Sequence, residues 1–156
     1  MAWIQLNSPV GRLKVIERDD AIIRVTWRVE DRACDTETTP LLTCAARQLE
    51  DYFAGREFAF DLPLRPAGSA FQRAVWSAMC RIPPGQTASY GDLADEIGNV
   101  PRAVGLACGA NPIPIIIPCH RVLAAGGRMG GFSGGGGVET KRKLLEHEGA
   151  LPPSLF

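Results

Sequence analysis

The chain has 156 residues, 46% of them hydrophobic and 22% charged, the composition of an ordinary globular protein rather than a disordered segment. Seventeen basic side chains balance 17 acidic ones, which excludes a generally polybasic nucleic-acid coat and leaves room only for a local basic face. The longest apolar runs, such as Ile115-Ile116-Ile117, are far too short to span a bilayer, and the N-terminus carries no charged leader before an apolar stretch, so no membrane association and a cytoplasmic location are expected.

Pro9 and Gly11 mark a first turn. Leu13 and Val15 then alternate with polar neighbours, Asp19-Asp20 supplies a second turn, and Ala21, Ile23, Val25 and Trp27 fall on one face of a following strand. Residues 29–38 read as a polar loop. Thr39 is placed to cap a helix with Pro40 at its first position, and Leu42, Ala45, Ala46, Leu49, Tyr52 and Phe53 follow at helical spacing up to Gly55. Residues 58–68 contain Pro63, Pro66 and Gly68 without periodicity and read as a linker, dividing a lobe over 1–65 from one over 66–156.

The second lobe is mostly helical by pattern. Ser69 caps a helix bearing Phe71, Val75, Trp76 and Met79, which Pro83-Pro84-Gly85 ends. Ser89 or Tyr90 opens a short helix through Ile97, Gly98-Asn99 turns the chain, and Pro101 starts a helix reaching about Cys108 before the break at Asn111-Pro112. Two short helices joined in this way make a helix-turn-helix candidate. The prolines of Ile113–Pro118 forbid a regular central strand. Eight of the 12 residues in 126–137 are glycine, which reads as a loop whose backbone comes close to a flat ligand. A last helix is expected from about Val138 to Glu148.

Charge is uneven. Residues 1–65 hold nine basic and 11 acidic side chains, whereas Arg102, Arg121, Arg128, Lys141, Arg142 and Lys143 face only Glu139 within 97–145. This is either a solvated face or a phosphate-binding one. The five cysteines, at 34, 44, 80, 108 and 119, are odd in number and form no CxxC pair, so neither a disulfide framework nor a metal site is expected. In Cys119-His120 an imidazole stands beside a thiol, the raw material of an activated nucleophile, although a buried cysteine next to a structural histidine is the blander reading.

The run Asn111-Pro112-x-Pro114-x-x-x-Pro118-Cys119-His120-Arg121-Val122 resembles the active-site signature of the O6-alkylguanine-DNA alkyltransferases. Phe71-Gln72-x-x-Val75-Trp76, Ile82-Pro83-x-Gly85, Ser89-Tyr90-Gly91-x-Leu93-Ala94, Arg102-Ala103-Val104-Gly105-x-Ala107, Gly131-Phe132-Ser133-Gly134-Gly135 and Lys141-x-x-Leu144-Leu145-x-x-Glu148-Gly149 extend the similarity over nearly the whole chain. The resemblance implies an α+β fold: an N-terminal ribonuclease-H-like α/β lobe and a mostly helical C-terminal lobe with a helix-turn-helix. It implies single-turnover DNA repair, in which an alkyl group moves from O6-alkylguanine in double-stranded DNA to Cys119, with O4-alkylthymine as a further candidate substrate. His120 would act as base through a water, Glu148 would orient it, and Tyr90 would protonate the departing guanine. Asn111 would be a hinge tying the helix-turn-helix to the active-site segment, Pro114 would wall the base, the Val122 backbone and Ser133 would read its edges, and the base would be flipped into the pocket with Arg102 entering the stack and Gln72 touching the DNA backbone. No cofactor and no obligate protein partner are implied. The stretch from Tyr90 to Arg102 is slightly shorter than the family pattern, and Cys108-Gly109-Ala110 stands where relatives often carry a basic residue. A damage sensor without transfer, or a Cys-His-Glu hydrolase of acyl substrates, are the competing readings; an S-alkyl mass increment separates the first and multiple turnover the second.

Overall fold

In the computed structural model, which describes residues 1–29, 38–132 and 134–152, the chain starts with an antiparallel sheet of β1 (Ala2–Leu6), β2 (Leu13–Arg18) and β3 (Ala21–Thr26), in that order. Asp19 and Asp20 join β2 to β3 at φ 50° and 62°, the left-handed pair that a tight hairpin turn requires and that short polar side chains tolerate. Leu13, Val15 and Glu17 alternate inward along β2. The carboxylate of buried Glu17 accepts a hydrogen bond from the Thr39 hydroxyl, so its place in an apolar row is satisfied.

β3 departs from the expected pattern. Ala21, Ile22 and Val25 are the buried residues, and Ile23 is not. Ile16 pairs with Arg24 and Glu17 with Ile22, which leaves Ile23 as an extra residue in the ladder; this bulge exchanges the isoleucine that faces the core. The outer edge of β3 is covered as well. Ile22 donates to Pro63 O and accepts from Arg65 N, both at 2.8 Å, so the proline-bearing stretch read as a linker is fastened to the sheet.

α1 (Pro40–Phe53) begins where Thr39 Oγ1 accepts from Leu42 N at 3.1 Å and buries Leu42, Ala45, Leu49 and Tyr52. α2 (Ala70–Cys80) and α3 (Tyr90–Ile97) each start in a reciprocal capping box, Ser69 with Gln72 and Ser89 with Asp92. Gly98, at φ 82°, ends α3, and α4 (Pro101–Gly109) follows, which realises the expected pair of short helices. Trp76 Nε1 donates to Ala107 O at 2.8 Å and locks α2 to α4. The sequence gives no sign of β4 (Ala88–Ser89) and β5 (Val122–Leu123), which pair in parallel, because runs of two residues show no periodicity. Their ladder ties the start of α3 to the segment after Cys119-His120. α5 (Val138–His147) closes the described fold. Among the described residues no helix is long and apolar enough to cross a membrane. Cys34, Ser133 and most of the loop expected over 29–38 lie outside the described residues.

Candidate active site

The segment between α4 and Cys119 is held by one side chain. Asn111 Oδ1 accepts from Ile113 N and Asn111 Nδ2 donates to Ile117 O, each at 2.9 Å, so the amide spans the loop. Within this clamp Ile115 sits at φ 73°, a conformation that β-branched residues avoid, and its side chain is fully buried. The loop delivers Cys119 to a cavity of about 560 Å³ that Tyr90, Pro114, Gly131 and Phe132 also line. The single 3-10 turn Cys119–Arg121 then carries His120 and Arg121 into the interior.

Glu148 gathers the donors behind the cysteine. Its Oε2 accepts from Tyr52 Oη at 2.6 Å, His120 Nε2 at 2.7 Å and Arg121 Nη2 at 3.0 Å, while Oε1 accepts from Arg121 Nε at 2.8 Å. This carboxylate is not a solvated helix-end acid: it caps α5 and is buried. Burial pushes its pKa up, but the donors from His120, Arg121 and Tyr52 more than offset that and hold it at about 2. The ionised carboxylate fixes the proton of His120 on Nε2. Burial outweighs the pull of Glu148 and lowers the pKa of the ring, so the imidazole is neutral, and its Nδ1 has no hydrogen-bond partner among the described residues. A lone pair is therefore available on the nitrogen remote from Glu148.

Cys119 is not a low-pKa thiolate at rest. Burial pushes the thiol up, and Asn111 and the cation of Lys141 offset only part of this. The resting group is a thiol that must give up its proton during reaction. Burial and the neighbouring Cys108 and Cys119 also raise the Tyr90 phenol, against a smaller opposing effect of the Gly131 backbone, so Tyr90 is a protonated donor at neutral pH.

Three residues of this centre escape a reading of the sequence. Tyr52 reads as one more apolar position of α1. Arg121 and Lys141 read as members of a basic face, yet both are buried, Arg121 on Glu148 and Lys141 with Nζ 2.7 Å from Val122 O. Of the six basic side chains in 97–145, only Arg102, Arg128, Arg142 and Lys143 are exposed. Val122 is buried and absent from the cavity wall, its N–H bonded to Cys119 O and its carbonyl to Lys141. Arg102 is exposed in the first turn of α4, outside the cavity lining, and Gln72 Oε1 is engaged in its capping box.

One flat group close to the glycine loop belongs to the protein itself, while Gly131, Gly134 and Gly135 also line the cavity. A β-carbon on Gly134 would lie 2.8 Å from Trp27 Cη2, 2.9 Å from Cε3 and nearer still to Cζ3. The Trp27 indole is fixed by its Nε1 donating to Val10 O at 3.0 Å and packs edge-on to Phe132. Gly134→Ala is thus expected to destabilise the fold by about 1–3 kcal/mol through overpacking. Chemical denaturation of Gly134→Ala, Trp27→Leu and the double variant checks this: the loss should shrink in the Trp27→Leu background.

The profile of the 6-O-methylguanine DNA methyltransferase ribonuclease-like domain matches residues 1–66, and that of its DNA binding domain matches residues 70–150. The methylated-DNA–protein-cysteine methyltransferase of Mycobacterium bovis is 51% identical over 155 residues, covering 96% of this chain and 93% of that protein. The constitutive enzyme of that name in Bacillus subtilis is 38% identical, covering 91% of this chain and 92% of its own. The crystal structure of Mycobacterium tuberculosis O6-methylguanine methyltransferase superposes with a TM-score of 0.82 at 39% identity, covering 99% of this chain and 96% of its own. A Mycobacterium tuberculosis structure in complex with DNA gives 0.81 at 40% identity, covering 95% and 92%. With both of its parts matched in order, and with Cys119 on the cavity wall and the next residue, His120, hydrogen-bonded to Glu148 in the interior, the chain belongs to the 6-O-methylguanine DNA methyltransferase family.

Proposed function

We propose that the protein repairs DNA by moving one alkyl group from O6 of a guanine to Cys119, and is consumed in doing so. The observation that carries this reading is Cys119 on the cavity wall beside His120, whose Nε2 is engaged by Glu148 while Nδ1 keeps a free lone pair. His120 Nδ1 takes the thiol proton through a water. The sulfur forms a bond to the alkyl carbon as the carbon–O6 bond breaks, its electron pair passing to the guanine. Tyr90 donates a proton to that anion, and the proton held on His120 returns to the phenolate through solvent. Atoms and charge balance, and the product is a neutral thioether.

O6 of a paired guanine is buried in the duplex, so the base is flipped out at a cost of a few kcal/mol, less for a weakened alkylated pair. Arg102 fills the gap, the Nε2 end of Gln72 meets the backbone, Pro114 walls the base, Asn111 ties the active-site segment to the helix-turn-helix, and Ser133 and the second lone pair of Val122 O order the edges of the base. An O4-alkylthymine is admitted by the same chemistry. The two lobes divide within 58–68, and the cytoplasm is the expected compartment. Incubation with duplex DNA containing O6-methylguanine, followed by peptide mass spectrometry, is expected to give one methyl increment per protein on the Cys119 peptide. No increment, or many released products per protein, overturns the assignment.

A further inference from the structure

The cavity that holds Cys119 is not built by the C-terminal lobe alone. Arg24 and Thr26 of β3, and Arg28 just beyond it, form part of its lining. Both arginines are exposed, and neither forms an ion pair among the described residues. Among the described residues that line the cavity there is no aspartate or glutamate, so the described part of this rim is cationic. The frame beneath it is firm. Val25 N donates to Pro112 O at 3.1 Å, one residue after Asn111, and Trp27 is anchored to Val10 O and seated on Gly134. Arg28 N donates to Thr26 Oγ1 at 3.1 Å, which turns the chain as it leaves the sheet. With Arg121 and Lys141 buried, the C-terminal lobe has fewer cations for DNA than its sequence suggests.

We infer that Arg24 and Arg28 form a phosphate-binding site on the N-terminal lobe, gripping the backbone of the nucleotide whose base occupies the cavity. The inference rests on the proposed function and extends it. A base that enters the cavity leaves its flanking phosphodiesters at the mouth, where guanidinium groups can pair with them in two-pronged hydrogen bonds. The DNA is then held from both lobes, with the helix-turn-helix on one side and β3 on the other.

The test compares wild type with Arg24→Ala, Arg28→Ala and Arg24→Lys. Duplex binding is followed across a salt series, with single-turnover transfer from methylated duplex and from free O6-methylguanine, which has no phosphate. Each alanine variant should weaken duplex binding roughly tenfold at low salt and reduce the steepness of log K against log salt by about 0.9. Arg24→Lys should keep the slope. Transfer from duplex should fall by a larger factor than transfer from the free base. An unchanged slope in both alanine variants, or equal losses with the two substrates, overturns the phosphate site. If the wild type alkylates itself with neither substrate, the proposed function fails instead, and the salt slopes on duplex still decide the arginine site.

Discussion

Cys119→Ser is expected to bind methylated duplex with affinity close to wild type and to acquire no alkyl group. A hydroxyl is intrinsically far harder to ionise than a thiol, the burial that already raises the Cys119 thiol acts on it in the same direction, and His120 is too weak a base to close the gap. The other cysteine on the cavity wall cannot substitute. Cys108 is buried, directs its sulfur to Met79 Sδ at 3.5 Å and is pushed up to about 12. Intact-mass and peptide analysis after exposure to methylated duplex provides the check. A methyl group on Cys34, Cys44, Cys80 or Cys108 in either protein would mean that the nucleophile has been misplaced.

The second large effect lies at Glu148. Exchange for glutamine leaves the Arg121 guanidinium buried without its counter-charge, for which a loss of about 3–5 kcal/mol is expected. Transfer should slow by roughly 10²–10⁴-fold, because Glu148 is what draws the His120 pKa upward and stabilises the imidazolium formed as the thiol proton leaves. The pH dependence of stability follows in two windows. His120 has a lowered pKa in the fold, so acidification below its unfolded value of ~6.5 loads protons onto the unfolded chain first and erodes stability. Glu148, also lowered, contributes stability that is complete above its unfolded pKa of ~4.3 and is lost as pH falls toward about 2. Denaturation of Glu148→Gln should therefore lose the second window. Wild-type transfer rates in Glu148→Gln would reduce this residue to a structural ion-pair partner.

What the chain reveals in one dimension follows the reach of its interactions. Caps act over three residues, so Thr39, Ser69 and Ser89 announce their helices directly. Cys119 and His120 are adjacent, so the reacting pair can be seen at once, and the resemblance supplies Glu148. Tyr52 is 96 residues from the carboxylate it binds, and no local pattern marks a tyrosine on the buried face of a helix as a donor to a distant acid. Lys141 sits in a Lys-Arg-Lys run whose other two members are exposed; only the fold selects which ammonium turns inward to Val122 O. The bulge at Ile23 arises from pairing with β2, and strict alternation along β3 cannot express it.

The seating of Trp27 on Gly134 bears on how far the two halves can be exchanged between relatives. An indole from one half fills space that a missing β-carbon in the other leaves open. A hybrid joining this N-terminal half to a C-terminal half with any side chain at that position would meet a collision that neither parent contains, and a small residue in place of Trp27 would leave a void over the same loop. Recombination within the family is thus restricted at this seam to partners that inherit both residues together, even though they lie at opposite ends of the sequence.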